Sequence, residues 1–182
     1  GGEIYTTQLK QDNASGRFTY IQSGGSVYIN ALSDSRGSSA VFALPNADHT
    51  FEMSGGLVQI EAVNTTATNG IHILSAEGNY NVTGGDFEVL LPTLDAAGES
   101  QFEVNATAPL YNLTLTESAN PNSQTLVLQD NLTILNDLTI GANTEFDADG
   151  NDLSIGGDFN LEDGGVFTHG NNTTYFLGGD TT

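Results

Sequence analysis

The sequence predicts an all-β fold built of repeating coils, and three observations carry the prediction. A Gly-Gly string led by an aromatic or Thr-Tyr pattern returns at near-constant spacing. Short segments alternate apolar and polar residues with period two, and no segment keeps apolar residues at i, i+3, i+4 and i+7 without interruption by Gly, Asn or a β-branched residue.

The first element of the repeat is Thr19-Tyr20-Ile21-Gln22-Ser23-Gly24-Gly25, which recurs as Thr50-Phe51-Glu52-Met53-Ser54-Gly55-Gly56 and as Asn79-Tyr80-Asn81-Val82-Thr83-Gly84-Gly85. After each Gly-Gly pair comes a strand whose outer members are apolar, Val27-Tyr28-Ile29, then Val58-Gln59-Ile60, then Phe87-Glu88-Val89. A third strand per period follows the same rule at Phe42 and Leu44, Ile71 and Ile73, and Phe102 and Val104. The Gly-Gly pairs suit corners, where a positive φ or a close neighbouring coil excludes a Cβ.

The second half repeats on a shorter step. Asn131-Leu132-Thr133-Ile134 maps onto Asp152-Leu153-Ser154-Ile155, Asp137-Leu138-Thr139-Ile140 onto Asp158-Phe159-Asn160-Leu161, and Phe146 onto Phe167. Upstream, Asn112-Leu113-Thr114-Leu115 matches the Asn131 string, and downstream Ile155-Gly156-Gly157-Asp158 returns as Leu177-Gly178-Gly179-Asp180.

A β-sandwich also has short strands and frequent turns, so spacing alone does not choose between folds. Equivalence of residues does. A chain that returns to one side-chain set every coil can stack Val27 on Val58 on Phe87, and Ile29 on Ile60 on Val89, burying a column that no single coil could bury. The expectation is therefore one continuous right-handed parallel β-helix over residues 1–182, of about six or seven coils. Coils of roughly 30 residues fill 18–108 and coils of roughly 21 fill 109–182, with the change of loop length near Pro109. Gly1 and Thr182 both lie in repeat-like sequence, so more chain or a neighbouring subunit is expected beyond at least one end.

Charge narrows the function classes. Three Lys and Arg stand against 23 Asp and Glu, a formal net charge of −20, and the three cations Lys10, Arg17 and Arg36 all lie in the first fifth of the chain. Nucleic-acid binding is excluded because it rests on cationic side chains displacing counterions, and attraction to an anionic membrane is excluded by the same sign. No window approaches 18 uninterrupted apolar residues, so direct membrane insertion is not expected. The absence of Cys removes disulfides, thiolate nucleophiles and zinc–thiolate sites together. An acidic, Lys-poor composition rich in Asn, Thr and Gly leans towards an extracellular or cell-surface location.

Residues 110–180 carry a likeness. Thr125-Leu126-Val127-Leu128, Leu138-Thr139-Ile140-Gly141, the run Phe146-Asp147-Ala148-Asp149-Gly150-Asn151-Asp152-Leu153-Ser154-Ile155-Gly156-Gly157-Asp158-Phe159, and Gly165-Val166-Phe167-Thr168 resemble the β-helical repeats of large secreted surface proteins of Bacteroidota. Those proteins are adhesin-like and often exported by the type IX route, so the resemblance implies a secreted, non-enzymatic surface segment.

Few residues point to chemistry. The best candidate is Asp147-Ala148-Asp149-Gly150-Asn151-Asp152, because hard oxygen donors at alternate positions of a Gly-containing loop are what calcium requires. Asp147, Asp149, Asn151 and Asp152 are the candidate calcium ligands, yet Asp, Asn and Gly are equally the residues of a strand-to-strand turn. Asp86, Asp158 and Asp180 each follow a Gly-Gly pair and suit either a solvated acidic face or a cation-bridged ladder. Of the three His, His72 lies between two inward residues and points outward, and His49 and His169 fall in surface turns. Tyr20, Phe51 and Tyr80 recur one coil apart and could form a sugar-stacking platform, although their parity with Gln22, Met53 and Val82 places them inside. Asn-x-Ser/Thr occurs at Asn13, Asn64, Asn81, Asn105, Asn112, Asn131, Asn171 and Asn172, as an Asn- and Thr-rich chain produces by chance.

The leading expectation is a non-enzymatic structural or adhesive segment, a stalk or filament of a surface protein that contacts glycans or neighbouring copies of itself. A polysaccharide-binding or polysaccharide-degrading module, marked by converging carboxylates, is the alternative. An ice-binding array at Thr114, Thr133 and Thr139 is the third.

Overall fold

The computed structural model describes residues 1–11, 16–30, 40–61, 68–92, 100–118 and 124–178. Among these the protein is all-β, without a helix, and its strands run parallel in three sheets, an arrangement consistent with a β-helix or solenoid. Numbered in chain order, the first sheet holds β1 (Glu3–Thr6), β3 (Thr19–Asn30), β5 (Thr50–Glu61), β7 (Tyr80–Pro92), β9 (Asn112–Ser118), β12 (Leu138–Ile140) and β15 (Phe159–Leu161). The second holds β2 (Leu9–Lys10), β4 (Phe42–Leu44), β6 (Thr68–Ile73), β8 (Ser100–Ala106), β10 (Gln124–Leu128), β13 (Glu145–Asp147) and β16 (Val166–Thr168). The third is shorter: β11 (Leu132–Ile134), β14 (Leu153–Ile155) and β17 (Thr174–Phe176).

Each strand pairs with its counterpart one coil on, which is why residue equivalence was readable. Val27 pairs with Val58 and Val58 with Phe87, while Ile29 pairs with Ile60 and Ile60 with Val89. Both columns continue through Leu113 and Leu115 to Leu138 and Ile140. Period-two alternation turns these residues inward, and every one of them is buried. They form a single apolar cluster running from Tyr20 to Ile155.

The first two segments of the early repeats are one bent strand rather than two. β3, β5 and β7 run through their Gly-Gly pairs, where the pairing register shifts. The second glycine of each pair takes a positive φ, 73° at Gly25, 95° at Gly56 and 104° at Gly85, and this bends the strand without ending it. Gln22 ties the bend to the next coil. It accepts the Tyr20 hydroxyl at 2.5 Å and donates to the carbonyls of Gly25 and Leu57, each at 3.2 Å.

Three expected alignments change. Ile71 pairs with Val104 and not with Phe102, because the register shifts between Asn69 and Ile71. Gly70 sits at that shift, and a Cβ there would stand 2.1 Å from the Phe102 ring, so the ring fills the space a side chain would take. Leu113 pairs with Leu138 in the first sheet, while the neighbour of the Leu132 string is Leu110, bridged to Ile134. Ile155 pairs with Phe176 rather than Leu177; Gly179 and Asp180 lie outside the described residues. Along the first sheet Phe87, Leu113, Leu138 and Phe159 follow one another in register.

Candidate functional site

The Asp147–Asp152 segment joins β13 to β14 as a tight turn held by its own hydrogen bonds. Asp147 Oδ1 accepts the Asp149 amide at 2.8 Å, Asp149 and Gly150 take positive φ of 46° and 78°, and the Asn151 amide donates to the Ala148 carbonyl at 2.8 Å. Asn151 Nδ2 reaches back one coil to the Leu128 carbonyl at 3.0 Å. Asp152 works across coils in both directions, its amide donating to Asn131 Oδ1 at 2.7 Å and its Oδ1 accepting the Thr173 amide at 3.0 Å. Among the described residues no group of three or more Asp, Glu or His is placed to hold a metal ion. Since the turn is closed by its own hydrogen bonds, EDTA is expected to leave the melting temperature unchanged; a drop of several degrees, restored by calcium, would mean that the carboxylates act as ligands.

The Asp and Asn residues that precede the Leu-x-Ile strings have a common role. In the first sheet Asn112 Nδ2 donates to Asp86 Oδ1 at 2.7 Å, Asn112 Oδ1 accepts the Asp137 amide at 3.1 Å, and Asp137 Oδ1 accepts the Asp158 amide at 2.8 Å. Asn131, Asp152 and Thr173 repeat the pattern beside the third sheet. Each side chain thus satisfies an amide of the next coil at the strand entry. Asp86 and Asp158 lie along one edge of the first sheet with Asn112 and Asp137 between them; Asp180 lies outside the described residues. Replacing Asp137 by Ala removes an acceptor and is expected to cost about 1 kcal/mol. Asp137→Asn keeps the acceptor and relieves repulsion from Asp158, so it should be neutral or stabilising in a urea melt.

Histidine placement corrects one expectation. His49 is in a turn but is fully buried, its ring Nε2 lying 2.9 Å from the Gly16 carbonyl and its face edge-on to Phe18. Its turn packs under the chain at Gly16–Phe18, a contact that spacing along the sequence does not reveal. His72 is half-buried and His169 exposed. Burial lowers the His72 pKa below the ordinary 6.5, so the unfolded chain takes up its proton first. The stability this provides is complete above pH 6.5 and is lost as pH falls through that value towards the folded one. Comparing wild type with His72→Gln between pH 7.5 and 5 should show the shallower acid slope in the variant.

The outer faces are lined by polar ladders. Gln59 donates to Glu88 at 2.7 Å, Thr116 to Glu88 at 3.0 Å, Asn143 to Glu117 at 3.0 Å, and Thr125 and Thr168 to Glu145, each at 3.2 Å. Amide and hydroxyl donors on adjacent coils therefore spread the negative charge of this acidic surface. Thr114 and Thr139 are neighbours in the first sheet, but Thr133 belongs to the third, paired with Ser154, so the three do not form one array.

Tyr20 and Phe51 are buried and stacked, ring centroids 5.9 Å apart, which removes them as a sugar platform. Tyr80, the third of that column, is only half-buried. It borders a cleft of about 380 Å³ shared with Asn81, Thr107, Pro109, Thr133 and Leu135, which sequence spacing did not single out. Pro109 was its only trace in the sequence.

Fold and surface together define the class, an all-β chain of parallel stacked sheets with a hydrogen-bonded polar exterior. Comparison with known proteins adds no particular relative: no family model, no curated protein and no solved structure matches the chain.

Proposed function

We propose that the chain is a non-enzymatic structural or adhesive segment of a large extracellular, cell-surface protein, coiled as a single right-handed parallel β-helix of about six or seven coils. The observation that supports this most is the in-register stack of inward residues through the first sheet, from Val27 and Ile29 to Leu138 and Ile140. At about 4.8 Å per strand, seven strands extend roughly 30 Å, with backbone hydrogen bonds directed along the stack. Such a stack resists bending and separates what lies at its two ends, and repetition lengthens it at no cost in complexity. The resemblance of residues 110–180 to repeats of secreted surface proteins supports the same reading, with surface glycans or neighbouring copies as partners.

Incubation with a panel of plant and microbial polysaccharides, scoring both retention of protein and release of shortened sugar, tests this reading. Retention without product is the expected result. Release of product would overturn the non-enzymatic assignment and direct attention to the carboxylate-rich outer faces.

A further inference from the structure

The halves of β3, β5 and β7 that precede their Gly-Gly pairs, the first arms of these bent strands, stack in a column that is interrupted in mid-molecule, and the interruption leaves a site. Gln22, Met53 and Val82 stack in register beside Tyr20, Phe51 and Tyr80. Beyond Tyr80 the next coil supplies Thr107–Leu110 instead of a strand, because Pro109 has no amide to donate to a ladder. This segment is held away on both sides. The Thr107 amide and hydroxyl donate to the Ile73 and Ser75 carbonyls, at 2.9 Å in each case, and the Leu110 amide donates to the Thr133 carbonyl at 3.0 Å. The cleft lies between the Tyr80 arm and β11.

Its lining is unusual for this chain. In a protein with 23 carboxylates, Tyr80, Asn81, Thr107, Pro109, Thr133 and Leu135 include no charged group. Tyr80 and Leu135, the latter 39% exposed, offer apolar surface, and the exposed Asn81 and Thr133 offer amide and hydroxyl groups beside it. A ligand that fits has an apolar face, several hydroxyls and no charge. The volume of about 380 Å³ suits a small-molecule-sized unit, at the lower end of the ~300–1,000 Å³ range of such sites.

We infer that this cleft is a subsite for a neutral glycan, its apolar faces against Tyr80 and Leu135 along the gap and its hydroxyls bonded to the outward Asn81 and Thr133. The inference rests on the adhesive reading above and names where it acts. Acidic glycans are disfavoured by the −20 charge of the chain, and a cation finds no carboxylate in the cleft.

The test is calorimetric titration of the bacterially expressed chain, so that Asn81 carries no glycan, with hexasaccharides of β-glucose, mannose, galactose and xylose, and with oligogalacturonate. Saturable binding of at least one neutral sugar, none of oligogalacturonate, and about tenfold or greater loss in the Asn81→Ala, Thr133→Ala double variant are expected. Both positions are exposed, and an unchanged melting temperature of the variant excludes misfolding as the cause. Neutral binding that survives the double variant would overturn this site while leaving the adhesive reading standing. Failure of every neutral hexasaccharide to bind would overturn the inference, as would exclusive binding of an extended Val-Thr repeat hexapeptide. Hydrolysis of a bound sugar would instead overturn the non-enzymatic reading on which it rests.

Discussion

Replacing Phe42 by Ala is expected to destabilise the protein by about 3–5 kcal/mol, the largest loss of any single truncation considered. Phe42 is fully buried on the second sheet and meets aromatic rings from three successive coils of the first. Its centroid lies 5.2 Å from Tyr20, 6.3 Å from Phe51 and 5.4 Å from Phe87, each at a near-perpendicular angle of 81–90°. Edge-to-face contacts of this kind add to the area buried, and one truncation removes all three. Collapse around the void is restricted because the facing strands are pinned in register by their ladders. Denaturation in guanidinium followed by circular dichroism gives the measurement. Phe42→Leu, which keeps most of the volume, should lose about 1.5 kcal/mol or less. Ile21→Ala, 65% exposed on β3, should change stability by under about 0.5 kcal/mol. A loss at Phe42 no larger than at Ile21 would mean that the two sheets do not share a packed interior.

The columns were legible because strand periodicity is two and each coil repeats the same inward choice, so Val27, Val58 and Phe87 announce one another. Register between coils was less legible wherever a local string fitted two places. Asn112-Leu113-Thr114-Leu115 resembles both the Asn131 and the Asp137 strings, and only the path through Leu110 to Ile134 assigns it to the second. Ile71 slipped by two positions because a glycine opposite a ring leaves no mark in a hydrophobic pattern.

The candidate site was partly visible for the same reason. The Asp147–Asp152 string is written in residues that serve both turns and calcium, and its hydrogen bonds to other coils, Asn151 to Leu128 and Asp152 to Asn131 and Thr173, exist only once the coils are stacked. The burial of His49 likewise depends on a segment 33 residues away. The Tyr80 cleft needed the loss of a strand at Pro109, which the sequence marks with one residue and no sign of what the gap exposes.

Gly156→Ala is expected to be the most damaging change to the backbone, at about 3 kcal/mol or more. The φ of Gly156 is not in the left-handed region, so conformational freedom does not explain the glycine. Proximity does. A Cβ at Gly156 would stand 2.1 Å from the Leu135 carbonyl oxygen and 2.8 Å from its carbon, both backbone atoms of the preceding coil. That backbone cannot retreat, because Leu135 itself donates to the Leu110 carbonyl at 2.8 Å on its far side. Accommodation therefore means separating the coils and stretching the Gly156 amide bond to Ile134, 2.8 Å, and the Gly157 amide bond to Asn136, 2.7 Å. Gly24→Ala is the matched control, since its Cβ would meet nothing within 4 Å and its φ is unexceptional. It should alter stability by less than about 0.5 kcal/mol. Hydrogen exchange would locate the damage, with amides of β11 and β14 losing protection in Gly156→Ala while those of β3 and β5 keep theirs. Equal stability of the two variants would show that the coils at Leu135 and Gly156 are not in ladder contact, and with that the stiffness attributed to this end of the stack would fail.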